Sequence, residues 1–392
     1  MLKLPDSRVP FPDSLHTARL SGAIAISRVI CILGVVYVHA WTGLDGMQLV
    51  QSDGTAQGIM RWVLMEFLGR SAVPLLGMIS GWLVAGSAWS RPYGSFLEGK
   101  ARTILLPLLL WNILAMAIIS GGGWLGWLET PVPSSIGMAA NQLLCLFSPN
   151  EVNVQMAFLR DLFVCMALAP LLVRMPVKWL ALVGTIAAGW AISGVLFPLL
   201  LRPPILTFFI VGILVRRGRW ELRAADAPLG LTAFLFGLCA VAKVGLSTWA
   251  APVSMAHPQV MAAFDLVLRI AAALFFWRFA WYLAGRGSGA VLRRLEPYAF
   301  LIFSAHLIMI WLAGPLIGRL TGPLGSPFYP VFLLLQPLLV AAAGVALGRL
   351  LMLATPRTAR LLSGGRLRGA GDDANGRWAQ SGRRKGDPVP AA

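Results

Sequence analysis

The sequence predicts an all-α, polytopic integral membrane bundle of about ten transmembrane helices with both termini in the cytoplasm. Three observations carry that prediction. Of 392 residues, 57% are hydrophobic and only 12% are charged, whereas a soluble domain is roughly 25% charged. Apolar runs of about 18 residues recur along almost the whole chain, each long enough to cross a ~30 Å hydrocarbon core. Lys and Arg gather between those runs with a strong alternation, 23 in one set of segments and 4 (Arg61, Arg70, Arg202, Arg319) in the other. Cytoplasmic loops carry the excess of positive charge.

The elements follow in order. The opening "MLKLPDSRVPFPDSLHTARL" has no apolar core and no small-residue cleavage site, so the first span, 22–42, is expected to be retained. The segment "GIMRWVLMEFLGR" (58–70) is too polar to span and reads as an amphipathic helix on the outer surface. Spans are expected near 71–88, 103–122, 154–173 and 178–197. A short one at 203–216 begins in "RPPILTFF". The last four fall near 228–247, 260–284, 297–318 and 329–352. Residues 1–352 therefore form one transmembrane domain. The Gly-, Arg- and Pro-rich remainder, 353–392, reads as a disordered cytoplasmic tail lying against anionic lipid.

Composition also excludes functions. The net charge of +17 is distributed as membrane loops distribute it, which argues against nucleic-acid binding. Cys31, Cys145, Cys165 and Cys239 are scattered without metal-ligand spacing and read as packing residues. No phosphate-binding Gly-rich loop, Walker motif or serine elbow is present. No internal repeat of the transporter kind is visible.

The first span, "SRVICILGVVYVHAW" (27–41), contains Arg28 and His39. Eleven steps make almost three helical turns, so both side chains leave one face, roughly 16 Å apart along the axis. Each has a bland reading: an Arg near a helix end snorkels, and a lone His bonds to a neighbouring helix. Sharing a face, they point to a polar cavity or ligand path, because an Arg at mid-bilayer costs about 2.5–3.5 kcal/mol even on the mildest scale. Intramembrane Arg160 and Asp161 read either as a structural ion pair or as a second anion site. Lys243, Asp265, Arg269 and Arg278 fall under the same rule. Glu151, Asn153 and Gln155, on the outer side, suit sugar hydroxyls or helix capping. The 15 Trp residues suit interfacial belts.

The Arg–x10–His of "RVICILGVVYVH" resembles the signature of the membrane-bound acyltransferase 3 family. "RSAVPLLGMISGWLVAG" (70–86), "KARTILLPLLLWN" (100–112), "MAFLRDLFVCMALAPLL" (156–172), "FFIVGILVRRG" (208–218) and "PYAFLIFSAHLIMIW" (297–311) resemble its later segments, in order, over about 280 residues. Ala157 stands where that family usually has Trp, and the last stretch holds a second histidine, His306.

The resemblance implies a multi-pass O-acyltransferase of the cell inner membrane. It takes an acyl group, often acetyl, from cytoplasmic acyl-CoA as co-substrate, and passes it to a hydroxyl of a cell-surface or exported polysaccharide. No bound cofactor or metal is implied. Some members carry a fused extracytoplasmic domain that finishes the transfer. Here only about 40 residues follow the tenth span, so either the chain completes the transfer or a separate periplasmic partner does.

The chemistry fits that implication. Donor phosphates need Arg or Lys, and Arg91, Lys100 and Arg102 lie in an inner loop, with Arg216 and Arg217 in another. Arg28 sits above them. His39 has an ordinary imidazole pKa near 6.5 and can act as general base or as nucleophile. Arg160, Asp161, Glu151 and His306 are candidate substrate or supporting residues. The alternative is a secondary transporter or flippase for a small molecule or lipid-linked glycan, which discontinuous helices and internal symmetry would favour. A signalling scaffold ranks last, since it needs no Arg–His face.

Overall fold

The computed structural model describes residues 14–70, 73–87, 92–148, 152–195, 197–248 and 256–367. Among these the secondary structure is helical, apart from one isolated bridge between Phe197 and Leu200. The helices are α1 Ser14–Val38, α2 Gly46–Ser52, α3 Ala56–Leu64, α4 Val73–Ala85, α5 Tyr93–Lys100, α6 Leu106–Ala115, α7 Gly121–Trp124, α8 Ile136–Leu144, α9 Met156–Arg174 and α10 Val177–Ser193. There follow α11 Pro204–Gly218, α12 Trp220–Asp226, α13 Leu229–Thr248, α14 Pro258–Ala284, α15 Gly289–Thr321, α16 Tyr329–Ala354 and α17 Pro356–Leu362. Three π-helical turns interrupt the second and third crossings, at Met65–Arg70, Ala101–Leu105 and Met116–Ser120.

Eight helical stretches of the described residues are long and apolar enough to cross a membrane, and α10 is a shorter apolar helix. The 15-residue α11 begins at the double proline, as the sequence leads one to expect. Proline at the first helical position is tolerated because the amide it lacks would have no partner there.

α1 is the hub and packs against α4, α14, α15 and α16. The closest crossing joins α4 and α11. A Cβ at Gly81 would lie 2.0 Å from the Phe209 carbonyl oxygen, and one at Gly212 would lie 2.0 Å from that of Met78. The two backbones touch where only glycine fits, which is the common way for apolar helices to gain packing in lipid.

Two expectations are corrected. The segment 58–70 does not lie apart on the surface: Met65, Glu66 and Gly69 are buried, and Gly69 presses on Val38 and Gly34 of α1. Its polarity is absorbed internally, because Glu66 pairs with Arg70 at 3.1 Å. The segment after the last span is also folded as far as residue 367. α17 is followed by a turn that buries Leu362 and Leu367, and the Trp111 indole donates to the Leu362 carbonyl at 2.9 Å. Apolar side chains at 362 and 367 within a polar, glycine-rich composition are what anchor it. Residues 368–392 lie outside the described part.

Candidate active site

His39 follows the last residue of α1, and its amide still bonds to the Val36 carbonyl at 3.1 Å. The chain beyond it is pinned. Trp41 wedges against Gly314 and Gly318 of α15, where a Cβ would collide with the indole. The Trp41 amide donates to Gln336 Oε1 at 3.1 Å, and its carbonyl accepts from the Tyr329 hydroxyl at 2.8 Å. Across from His39 stands His306, buried in α15, with ring centroids 5.4 Å apart. His306 Nδ1 lies 2.7 Å from the Phe303 carbonyl. A carbonyl only accepts, so Nδ1 carries the proton and donates it, leaving a lone pair on the buried Nε2. That Nε2 has no hydrogen-bond partner among the described residues.

His39 opens into a cavity of about 480 Å³ at the end of the bundle that the charge bias assigns to the outside, lined also by Arg70, Gln155, Arg202 and Arg269. Gln155 is held by a buried amide chain. Asn153 Nδ2 donates to Asn112 Oδ1 at 2.9 Å, and Gln155 Nε2 donates to Asn153 Oδ1 at 2.5 Å. Gln155 Oε1 is left as an acceptor without a partner among the described residues. Asn153 and Gln155 are thus buried network members and not solvated; Gln155 stands at the N-cap position of α9, but its side chain makes no capping hydrogen bond.

Arg202 is placed by the predicted pair Arg160 and Asp161. Asp161 is fully buried and takes Arg160 at 2.8 Å. It also accepts the amides of Leu201 and Arg202 at 3.1 and 2.7 Å. Arg160 donates to the carbonyls of Pro198 and Leu199. The pair therefore clamps the loop before α11 and does not line the cavity. Arg269 is 3.6 Å from Asp265, which Lys243 also meets at 2.9 Å.

Arg28 faces a second, smaller cavity of about 110 Å³ at the end that the charge bias assigns to the cytoplasm. Its guanidinium meets Glu296 at 2.9 Å. Ser80, Phe300 and Arg366 complete the polar and aromatic parts of the wall. Phe158 of α9 and Phe303 of α15 line both cavities, and pack edge to face at 5.9 Å. Arg28 lies within α1 and His39 one residue past its end, and the two line separate cavities on either side of one aromatic partition.

Lys100 and Arg102 do not line either cavity. Lys100 lies over the Phe96 ring at 5.5 Å, and exposed Arg102 is bonded to Glu98 at 2.6 Å. Arg91 and Glu151 lie outside the described residues. Sequence reasoning named Arg269 but missed Arg70 and Arg202, and with them the convergence of the three on one cavity. The available signal was an arginine at the outer boundary directly before a proline-bearing span, as in "RSAVP" and "RPP". It also missed Glu296 and Arg366.

The acyltransferase 3 family, described as an acyltransferase domain, matches residues 22–354. The chain belongs to this family. It is a membrane-embedded O-acyltransferase. The chain is 28% identical over 374 residues to the succinoglycan biosynthesis protein ExoH of Rhizobium meliloti (strain 1021), covering 89% of this chain and 93% of that protein. No solved structure matches it. Among the described residues no group of His, Cys, Asp and Glu is arranged to hold a metal ion.

Proposed function

We propose that the enzyme takes an acyl group, acetyl or another short acyl, from cytoplasmic acyl-CoA and esterifies a hydroxyl of an exported polysaccharide at the inner membrane. The observation that carries this reading is the pair of cavities meeting back to back at Phe158 and Phe303. A donor from one side and an acceptor from the other reach one point without either crossing the membrane. The succinoglycan role in the relative's name supports a polysaccharide acceptor.

In this reading the donor's charged head stays at the Arg28 end, and its thin thioester arm passes the two phenylalanines. The acceptor enters the outer cavity, with Gln155 Oε1 free to accept from a sugar hydroxyl. His39 takes the proton of the attacking hydroxyl as its oxygen bonds to the thioester carbonyl carbon. The carbon–sulfur bond then breaks, and the thiolate leaves and is protonated to free CoA. His306 flanks His39 and holds its ring in place. The guanidiniums of Arg70, Arg202 and Arg269 place fixed positive charge near the oxyanion that develops.

The test is mass spectrometry of surface polysaccharide from cells with and without the protein. Deletion is expected to remove O-acyl esters, restored by the wild type and not by His39→Gln. Identical ester content with and without the protein would overturn the proposal.

A further inference from the structure

Few features of this chain would place residue 366 inside the bundle by default, because the membrane crossings end at Ala354. Yet the turn after α17 is built in detail. Gly364 and Gly365 are both left-handed, at φ +60° and +79°, a conformation that side chains rarely adopt. A Cβ at Gly364 would lie 2.5 Å from the Thr103 carbonyl oxygen. Ser363 Oγ accepts the Leu367 amide at 3.0 Å and closes the turn. Leu362 and Leu367 are buried on either side of it.

This turn delivers Arg366 to the wall of the Arg28 cavity. Its guanidinium carbon lies over Phe300, 4.0 Å from the ring centroid, and Nη1 donates to the Ser363 carbonyl at 3.1 Å. Arg366 Nη2 and Nε make no hydrogen bond among the described residues. The residue as a whole is exposed, but its tip is crowded: burial, aided by Arg28, pushes its pKa down to about 10. It is a cation at neutral pH. The cavity lining thus holds two guanidiniums, Arg28 and Arg366, and one carboxylate, Glu296. Like charges brought together beside one acid leave an uncompensated cation, which a bound anion would neutralise.

We propose that Arg366 is a donor-binding residue: with Arg28 it forms a two-guanidinium clamp for the phosphates of the acyl donor, and the segment after the last span folds back to supply it. This rests on the reading of acyl-CoA as donor. Phosphate takes paired contacts from the planar fork, and the cation–π contact with Phe300 holds the guanidinium at the cavity wall. The site is then completed by chain outside the transmembrane domain, and the glycine pair sets where Arg366 points.

The test measures binding of coenzyme A and of acyl-pantetheine, which lacks the nucleotide phosphates, to purified full-length protein in nanodiscs. The variants are Arg366→Gln, Arg366→Lys and Gly364→Val. Arg366→Gln is expected to weaken coenzyme A binding about tenfold or more, the scale of one lost charge-assisted contact, with acyl-pantetheine binding unchanged. Arg366→Lys should recover only part of the loss. Gly364→Val keeps Arg366 but displaces it, and should match the Gln variant. If Gly364→Val does not fold, Arg366→Gln decides alone, since it leaves the turn's glycines and buried leucines in place. Coenzyme A binding by Arg366→Gln equal to wild type overturns the clamp, and so does equal weakening of both probes, which would mark a structural role. Failure of the wild type to bind coenzyme A overturns the donor reading itself, and with it the clamp.

Discussion

His39 can act as a base only if its ring is held still, and its neighbours do this. Trp41 is locked between Gly314, Gly318, Tyr329 and Gln336, which anchors the chain two residues on. His306 supplies a second ring at 5.4 Å. His39→Gln keeps size and some hydrogen bonding but cannot exchange a proton near neutral pH. Transfer should fall by about 10²–10⁴, the usual scale of general base catalysis, while the protein still inserts and unfolds at the wild-type temperature. Retained acylation in this variant would remove His39 from the chemistry. A donor-only incubation adds a second check: with His39 as base and not nucleophile, no acyl label should remain on the protein. The pairing of Arg28 with Glu296 is half-exposed, and pairs of that kind contribute little stability. Fold stability is therefore a weak reason for an arginine at this position.

At the scale of elements, two contacts matter most. The α4–α11 crossing brings backbones together at Gly81 and Gly212. Gly212→Ala must push the helices apart, and overpacking of this kind costs about 1–3 kcal/mol. Gly237→Ala is the control, because a Cβ there meets nothing within 4 Å. Thermal unfolding in detergent should drop for the first variant and hold for the second; equal midpoints would show that the crossing yields. The second contact is Phe158 against Phe303, the partition between the cavities. Phe303→Ala should open it and let water reach the thioester. The expected result is faster acyl-CoA hydrolysis without acceptor, read as thiol release. Release no faster than wild type would mean that the two rings do not separate the cavities.

For the whole molecule, the prediction concerns orientation. The 23-to-4 distribution of Lys and Arg predicts the Arg28 cavity on the cytoplasmic side and the His39 cavity outside. Reporter fusions at residue 135 should read outside, and those at residue 222 inside. Either result reversed would put the donor cavity on the wrong side of the membrane for a cytoplasmic thioester.

The sequence by itself determined what depends on local periodicity and composition. Run lengths specified a helical membrane bundle, loop charges predict its orientation, and the first span displayed Arg28 and His39 as polar residues in an apolar run. His306 was visible as a polar residue in an apolar run. Only the tertiary structure decided what depends on residues far apart in the chain. Arg28 meets Glu296 across 268 positions, and Arg70, Arg202 and Arg269 converge from three separate segments. Arg160 and Asp161 turned out to clamp a loop, and the 58–70 segment to pack inside. Arg366 reached the Arg28 cavity from what read as a tail. Composition reports the average character of a segment, whereas the docking of 356–367 rests on buried Leu362 and Leu367 and on a glycine turn, with contacts from Leu362 to Trp111 and from Gly364 to Thr103, more than 200 residues earlier.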